Sequence, residues 1–454
     1  MNPLRMSSAR NTLASSAIAL LLASGIPLVS AAPVATATQQ QPAQPVAIAQ
    51  GLLDDMQHAR YDAAFARFDD TMKAHVSAAQ LKAVWESLPA QVGAFRERGA
   101  PVAKHDGDDD MVSFSLVYAN GRLVAHVMMN AHGQVIGFVI QPDAAPAPPA
   151  RSDLPAHEVS FGPAGRTLPG TVLMPKPAGD GKRVAAVVFV HGSGPQDRDE
   201  AVGGARVFRD LAEGLADRGI ASLRYEKRTK ARPQDFGTAY TIDDETTDDA
   251  VAAVAFLKTQ PGIDPHHIYV VGHSQGAMMA PRIAQHASDV AGIVLLAAPA
   301  RHLEDVLMDQ NRWMAMTDGK IDAGEQAQLD ALAKAIADVK AIDAHTPPTK
   351  KFLLDLPASY WLSLKDYSPV AVAHAIRQPV LVLQGDRDFQ VTGPDWKGWQ
   401  DAFGKDGRVT IHHYPLLNHL FIPGKGRSSL AEYNKPGHVD ARVSADIADW
   451  IKAH

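Results

Sequence analysis

Apolar residues between positions 46 and 142 follow first a helical and then an alternating pattern. Over residues 52–72 they recur at the spacing of one helix face, and the Ser77–Gln80 capping box predicts the start of a second helix. Over residues 112–129 apolar and polar side chains alternate on either side of Asn120–Gly121, a dipeptide that favours a tight hairpin turn. The pattern therefore predicts a small α+β domain in which helices pack on an antiparallel sheet.

Beyond about residue 154 the pattern changes to short apolar runs separated by helical segments. The run Val184–Val190 is continuous and rich in β-branched residues, which is typical of a strand covered on both faces. Similar runs occur at 220–224, 268–273, 292–297, 380–384 and 409–413. Strands and helices in this order predict a doubly wound, mostly parallel α/β sheet, which binds its ligands at the carboxyl ends of its strands.

Two further segments divide the chain. Residues 143–153 are rich in proline and alanine, which favours an extended linker between two domains. Residues 301–376 carry apolar side chains at helical spacing, and this insertion is expected to form a helical lid over the pocket. The predicted domains are therefore 46–142 and 154–454.

An apolar stretch near the N-terminus predicts export. Two arginines precede an uncharged run at 12–29, and small residues follow that run. We predict a signal peptide over residues 1–31, a disordered tether over 32–45, and a periplasmic or secreted location. An uncleaved membrane anchor is the alternative, which Gly25 and Pro27 disfavour because they interrupt the run. No stable membrane insertion is expected after the signal is removed.

The overall composition is that of an ordinary globular protein. The chain has 454 residues, of which 46% are hydrophobic and 21% charged, with a net charge of −6. Because no basic block is present to neutralise phosphates, nucleic acid is not expected as a partner. The absence of cysteine excludes disulfides, thiolate metal ligands and a cysteine nucleophile.

One apolar run leads directly into Gly272-His273-Ser274-Gln275-Gly276, and a helical segment follows it. A strand that turns into a helix at a serine holds that residue in a strained conformation and pushes its hydroxyl out of the sheet. The two glycines keep Cβ atoms out of the tight turn, and the helix N-terminus lies beside any negative charge that develops at the serine. Ser274 is therefore the candidate nucleophile.

The ends of other predicted strands supply further groups. One run leads into His191–Pro195, a glycine loop whose backbone N–H groups suit an oxyanion. The last two runs lead into segments that contain Asp388 and His419. Serine, acid and histidine thus occur in the chain order Ser274, Asp388, His419, which is the order found in α/β hydrolases.

These segments resemble a group of bacterial serine hydrolases with the α/β-hydrolase fold, the short-chain carboxylesterases that carry an N-terminal domain. The resemblance covers residues 154–454 and depends on the motifs at 191–200, 223–228, 272–276, 384–391 and 417–421. It implies that Asp388, and not Asp386, is the acid. It likewise implies that His419 is the base, and not the histidines at 412–413. Residues 46–142 resemble a small domain of unknown function that often precedes such hydrolases.

A mechanism follows from this resemblance. His419 would take the proton of Ser274, and Asp388 would orient and stabilise the imidazole. The backbone N–H groups of Gln275 and Ser193 are expected to bind the oxyanion. We therefore expect an exported carboxylesterase that cleaves small or short-chain acyl esters through an acyl-enzyme, without cofactor or metal. A role of the N-terminal domain in dimerisation or in covering the active-site mouth is a hypothesis, and it leaves a homo-oligomer open.

Four side chains are candidates for the substrate pocket, with core packing as the alternative role for each: His273, Trp313, Tyr360 and Trp361. The adjacent histidines at 266–267 and 412–413 do not suit a metal, because neighbouring residues of a strand face opposite ways. The triplet Asp108–Asp110 is interpreted as a hairpin loop rather than a cation site.

Two other functions remain open. An aminopeptidase or dipeptidyl peptidase of the same fold would need an acidic cluster to hold the ammonium of its substrate. Asp197, Asp199, Glu200 and Glu226 are the candidates for such a cluster. A binding protein that retains the fold without catalysis is the other alternative, and the complete set of serine, histidine and acid disfavours it.

Overall fold

The computed structural model describes residues 43–454 except 107–108, 120, 143–149, 177–181, 317–318, 405 and 434. The predicted signal peptide, most of the predicted tether and linker, Asp108 and the turn residue Asn120 lie outside the described residues. The chain forms two compact units that divide at residues 145–146. In the described ranges, no helix is both long and apolar enough to cross a membrane.

The first unit contains, within its described residues, four helices followed by five strands. The helices are α1 (Ala43–Gln57), α2 (Tyr61–Ala66), α3 (Asp70–His75) and α4 (Ala78–Val92). The strands are β1 (Phe95–Arg98), β2 (Val102–Asp106), β3 (Asp109–Tyr118), β4 (Gly121–Met129) and β5 (Val135–Pro142). They form one antiparallel sheet in the order β1-β3-β4-β5, and β2 pairs with β3 as well.

Alternation along β3 explains why helices cover one face of this sheet. Every second residue of the strand is buried, and these residues share a core with apolar side chains of α1. At the start of α4, the Gln80 side chain accepts a hydrogen bond from the Ser77 backbone N–H at 2.9 Å, so the predicted capping box is confirmed. The structure therefore confirms the predicted α+β architecture. The helical period over 52–72 does not form one helix, because the chain breaks it between α1, α2 and α3.

The second unit begins with strands that lead to the first large helices. In chain order its first elements are β6 (Ala156–Phe161), β7 (Leu168–Leu173), β8 (Val184–Val190), β9 (Ala201–Val202), β10 (Ala205–Arg206), α5 (Val207–Ala216), β11 (Ala221–Tyr225), α6 (Arg228–Ala231) and α7 (Asp248–Leu257). One turn of π-helix, Asp243–Thr247, directly precedes α7. Next come β12 (Ile263–His273), α8 (Gln275–His286) and β13 (Gly292–Leu296).

The remainder of the unit consists of an insertion and the last strands. The insertion expected at 301–376 contains α9 (Leu303–Ala315), α10 (Ala323–Lys340), α11 (Ala358–Lys365) and α12 (Pro369–Ala375). The chain then forms β14 (Val380–Gly385), α13 (Gly393–Phe403), β15 (Val409–Tyr414), α14 (Leu430–Tyr433) and α15 (Ala441–Ala453). The insertion is helical, as its periodicity predicts.

Eight strands form the main sheet in the order β15-β14-β13-β12-β8-β11-β7-β6. Pairing is parallel from β15 to β11, whereas β7 runs antiparallel to both of its neighbours. Alternate residues of β8 and β12 enter two separate cores, one on each face of the sheet. The continuous apolar runs are therefore strands buried on both sides, and the predicted doubly wound α/β fold is confirmed.

Candidate active site

Ser274 lies at the sharp turn between β12 and α8. Its backbone has φ 53° and ψ −117°, a left-handed conformation that a non-glycine residue adopts only where its surroundings impose it. A Cβ on Gly276 would collide with the carbonyl oxygen of Val190, and one on Gly272 would collide with the carbonyl of Gly276. The turn therefore requires both glycines, and Ser274 remains half-buried at the carboxyl edge of the sheet.

Asp388 and His419 meet at the same edge of the sheet. His419 Nδ1 lies 2.7 Å from Asp388 Oδ2, and both side chains are buried. The Gln384 side chain donates to the same carboxylate oxygen at 3.0 Å. The other oxygen accepts from the backbone N–H groups of Gln390 and Val391 at 2.7 and 2.9 Å. Besides His419, three donors thus hold the acid, and they leave its carboxylate one orientation toward the imidazole.

The neighbouring candidates lie elsewhere. Asp386 is exposed and pairs with the exposed His413, whose Nδ1 lies 3.0 Å from Asp386 Oδ1. His412 is exposed on the same strand, β15. The structure therefore brings Asp388, and not Asp386, to His419.

His273 connects the loop of His419 to the strand that carries Ser274. Its Nε2 donates to the backbone carbonyl of His419 at 2.9 Å, and the two imidazole rings lie 4.8 Å apart between centroids. Its Nδ1 lies 3.0 Å from the buried carboxylate of Glu200. Burial alone would lower the pKa of His273, but the charge of Glu200 outweighs it and the pKa is raised. Since residue 273 directly precedes Ser274, the hydrogen bond from His273 to the His419 carbonyl holds the loop of His419 against the nucleophile turn.

The glycine loop after β8 is held by two buried ionisable side chains. The backbone N–H of Gly192 donates to Glu200 Oε1 at 2.7 Å, and Lys227 Nζ donates to the Gly192 carbonyl at 2.8 Å. A Cβ on Gly192 would lie 3.3 Å from Ser274 Cβ, so the loop passes directly beside the nucleophile turn. Within the described residues, the backbone N–H groups of Ser193 and Gln275 donate no hydrogen bond. Both are therefore free to donate to an oxygen beside Ser274.

The four carboxylates suggested for an ammonium site already have partners. Glu200 contacts His273 and Gly192, as described above. Asp199 pairs with Arg224, and Glu226 accepts a hydrogen bond from Arg198 at 2.8 Å. The fourth, Asp197, accepts hydrogen bonds from two backbone N–H groups of its own loop. These residues therefore stabilise the loop after the glycine motif, and three of the four carboxylates lie against a histidine or arginine side chain.

The candidate pocket residues lie in different surroundings. Tyr360 is buried in α11, and its hydroxyl accepts a hydrogen bond from the Gln275 side chain at 2.8 Å. Trp361 packs in a separate small core formed within the insertion. Trp313 is half-buried in α9, with the guanidinium of Arg427 4.0 Å from its ring centroid. His273 is buried between Glu200 and His419. The assignment of these side chains to a substrate pocket stays a prediction.

Glu200 and Lys227 are the residues whose place in the site the sequence did not show. The sequence offers Glu200 only as a candidate partner for a substrate ammonium, and Lys227 only as part of the motif at 223–228. The available signal was position: Lys227 follows β11, a parallel neighbour of the strand that ends at the glycine loop. In the part of the chain that the structure describes, no group of three or more His, Asp or Glu side chains could hold a metal.

Comparison with known proteins gives the class. Residues 187–424, more than half of the chain, match the model of the alpha/beta hydrolase family. The chain therefore belongs to the α/β-hydrolase family. Residues 49–138 match a family described as a protein of unknown function, DUF3887. The predicted class of the chain and the kind of domain that precedes it are thus both confirmed.

A curated relative carries a more particular name. The chain is 35% identical to Esterase EstD of Thermotoga maritima over 396 residues, which are 86% of this chain and 91% of that protein. The expected classification as a hydrolase of the carboxylesterase type is thereby confirmed at the level of the family.

Solved structures show weaker likenesses. The 2,6-dihydroxy-pseudo-oxynicotine hydrolase matches with a TM-score of 0.42 and 16% identity, covering 65% of this chain and 67% of its own. Est1E from Butyrivibrio proteoclasticus matches with a TM-score of 0.42 and 15% identity, covering 65% and 99%. Neither likeness carries an argument about substrate.

Proposed function

We propose that this α/β hydrolase is an exported serine carboxylesterase that cleaves small or short-chain acyl esters with Ser274, His419 and Asp388. The observation that carries the proposal is the 2.7 Å contact between His419 Nδ1 and Asp388, in a loop that His273 binds to the nucleophile turn. Because Nδ1 faces the acid, Nε2 is the nitrogen left to exchange a proton with Ser274.

The proposed reaction has two halves. His419 Nε2 accepts the proton of Ser274 as its Oγ attacks the ester carbonyl, and Asp388 stabilises the resulting imidazolium. The backbone N–H groups of Gln275 and Ser193 bind the oxyanion of the tetrahedral intermediate. The imidazolium then protonates the leaving alcohol, and water repeats the sequence on the acyl-enzyme to release the acid.

The peptidase alternative receives no support from the loop that it would need. An aminopeptidase binds the ammonium of its substrate through free negative charge, whereas Asp199, Glu200 and Glu226 are each paired with a side chain of this chain. Asp197 accepts backbone N–H groups of its own loop, and one carboxylate does not make the cluster that this alternative needs. The similarity to Esterase EstD favours ester substrates.

Two assays test the activity. A panel of p-nitrophenyl acyl esters, run beside aminoacyl p-nitroanilides, should show hydrolysis of the short-chain esters only. Fluorophosphonate should label the wild-type protein and leave Ser274→Ala unlabelled and inactive. Ser288→Ala, at an exposed serine after α8, is the matched control and should behave as the wild type. Labelling of Ser274→Ala would contradict the assignment of the nucleophile, and faster cleavage of the anilides would favour the peptidase.

Export is tested separately. If residues 1–31 are a signal peptide, the mature protein recovered from the periplasm or medium of a bacterial host should begin at Ala32. An unprocessed protein in the membrane fraction would instead favour the uncleaved anchor.

A further inference from the structure

The buried ammonium of Lys227 contacts both segments that supply the proposed oxyanion donors. It binds the carbonyl of the peptide that carries the Ser193 N–H, and it binds the side chain of Gln275. Lys227 follows β11, and 2% of its surface is exposed. Its Nζ lies 2.8 Å from the Gly192 carbonyl oxygen, 3.3 Å from Gln275 Oε1 and 2.6 Å from Glu245 Oε1. We propose that Lys227 is a positioning residue for the oxyanion hole, an inference that rests on the proposed function.

Lys227 fixes the orientation of the peptide between Gly192 and Ser193. This peptide is trans, so its C=O and N–H groups point in opposite directions. Because Lys227 holds the Gly192 carbonyl on one side, the Ser193 N–H must face the other side. The ammonium beside the carbonyl oxygen also polarises the peptide, so the N–H of the same peptide becomes a stronger donor.

The second peptide that flanks Gly192 is held as well. The Gly192 N–H donates to Glu200 Oε1 at 2.7 Å. The fit at this position is tight, since a Cβ would lie 3.3 Å from both Glu200 Oε1 and Ser274 Cβ. With one contact on each flanking peptide, the loop has little freedom to turn the Ser193 N–H away from the nucleophile.

Lys227 also contacts the side chain of Gln275. That side chain accepts from Lys227 and donates to the Tyr360 hydroxyl at 2.8 Å. Gln275 is the first residue of α8, so its backbone N–H has no partner within the helix. Lys227 thereby connects the glycine loop after β8 to the helix that supplies the other donor.

A purely structural role explains these contacts less well. A buried ion pair is a poor source of stability, because the desolvation of both charges offsets their attraction. The Lys227 ammonium donates to three acceptors, of which one is the carbonyl of the Gly192–Ser193 peptide and one is the side chain of Gln275. Glu245 neutralises the charge from a turn of π-helix, a local irregularity that is common at functional sites.

The test removes both charges together, so that no lone ion remains buried. In the full chain, Lys227→Met combined with Glu245→Leu should lower kcat on p-nitrophenyl acetate about 10- to 100-fold and change KM less than about 3-fold, since a misaimed donor loses part of what a deleted donor loses. A trifluoromethyl ketone, which mimics the tetrahedral intermediate, should bind more weakly by the same factor as kcat/KM. A structural role alone would not produce that correspondence.

The matched control is the neighbouring buried pair of Arg228 and Asp249. Arg228→Met with Asp249→Leu removes the same kind of charges without touching Gly192 or Gln275, and it should keep kcat within about 3-fold. Lys227→Gln is a second variant, in which kcat should also fall. The inference is judged on the Lys227 variant whose circular dichroism spectrum is native. Wild-type kcat in such a variant, or an equal loss in the control pair, would overturn the inference. Failure of the proposed function would be seen in a different experiment, because ester hydrolysis would then survive in Ser274→Ala.

Discussion

Replacing Asp388 by asparagine tests the proposed triad at a single atom. In the wild type, Oδ1 accepts two backbone N–H groups and Oδ2 faces His419 Nδ1 at 2.7 Å. The amide oxygen of the new residue should take the place of Oδ1, because two fixed backbone N–H groups donate there, whereas Oδ2 accepts from the side chains of Gln384 and His419. Its NH2 group then points at His419 Nδ1 as a donor. The imidazole must accept through Nδ1 and carry its proton on Nε2, where it cannot take the proton of Ser274.

The expected loss follows from the wrong tautomer and the lost stabilisation of the imidazolium. We expect kcat to fall about 10⁴-fold, which is about 5 kcal/mol of barrier. Asp386→Asn is the matched control, since that carboxylate pairs only with the exposed His413 at the surface and its loss should change kcat less than about 2-fold. Initial rates on p-nitrophenyl acetate measure both, with thermal unfolding as the check on folding. A loss below 10-fold in Asp388→Asn, or equal losses in the two variants, would refute the assignment of the acid.

Two further predictions concern stability. Gly276→Ala should lower the midpoint of thermal unfolding by several degrees, because the new Cβ meets the Val190 carbonyl, whereas Gly237→Ala has open space and should change it by less than about 1 °C. Burial lowers the pKa of His191 to about 4, so the unfolded chain binds more protons than the folded one between about pH 4 and 6.5. Stability should therefore fall with acidification, and His191 should contribute about 2 kcal/mol of the loss between pH 7 and pH 5. Urea titrations at the two pH values should show a smaller loss for His191→Gln; an equal loss in both proteins would show that His191 does not titrate in this way.

The sequence by itself was sufficient for the architecture. Continuous apolar runs predicted strands buried on both faces, and alternate residues of β8 and β12 do enter two cores. The Ser77–Gln80 capping box was equally visible, since all of its hydrogen bonds form within four residues. The glycines around Ser274 predicted the tight turn for the same reason. Such features depend on neighbours in the chain, and a one-dimensional pattern contains them.

Short elements of the first unit escaped the sequence pattern. The apolar period over 52–72 predicted continuous helix, but the structure divides this range between the end of α1 and the six-residue helices α2 and α3. The strand β1 is largely exposed and shows no alternation of buried and exposed residues. Their existence depends on the pairing of β1 with β3, on the packing of α2 against α1 and α4, and on the packing of α3 against β5.

Only the tertiary structure decided which charged groups meet. From spacing alone, Asp386 and Asp388 were both candidates at the same strand end, and a choice between them came only from a family resemblance. The fold places one beside His419 and the other beside His413. It also places the ammonium of Lys227 on the carbonyl of Gly192, 35 positions away. The physical reason is that periodicity records which face of an element is buried, whereas an ion pair depends on how separate elements are set side by side.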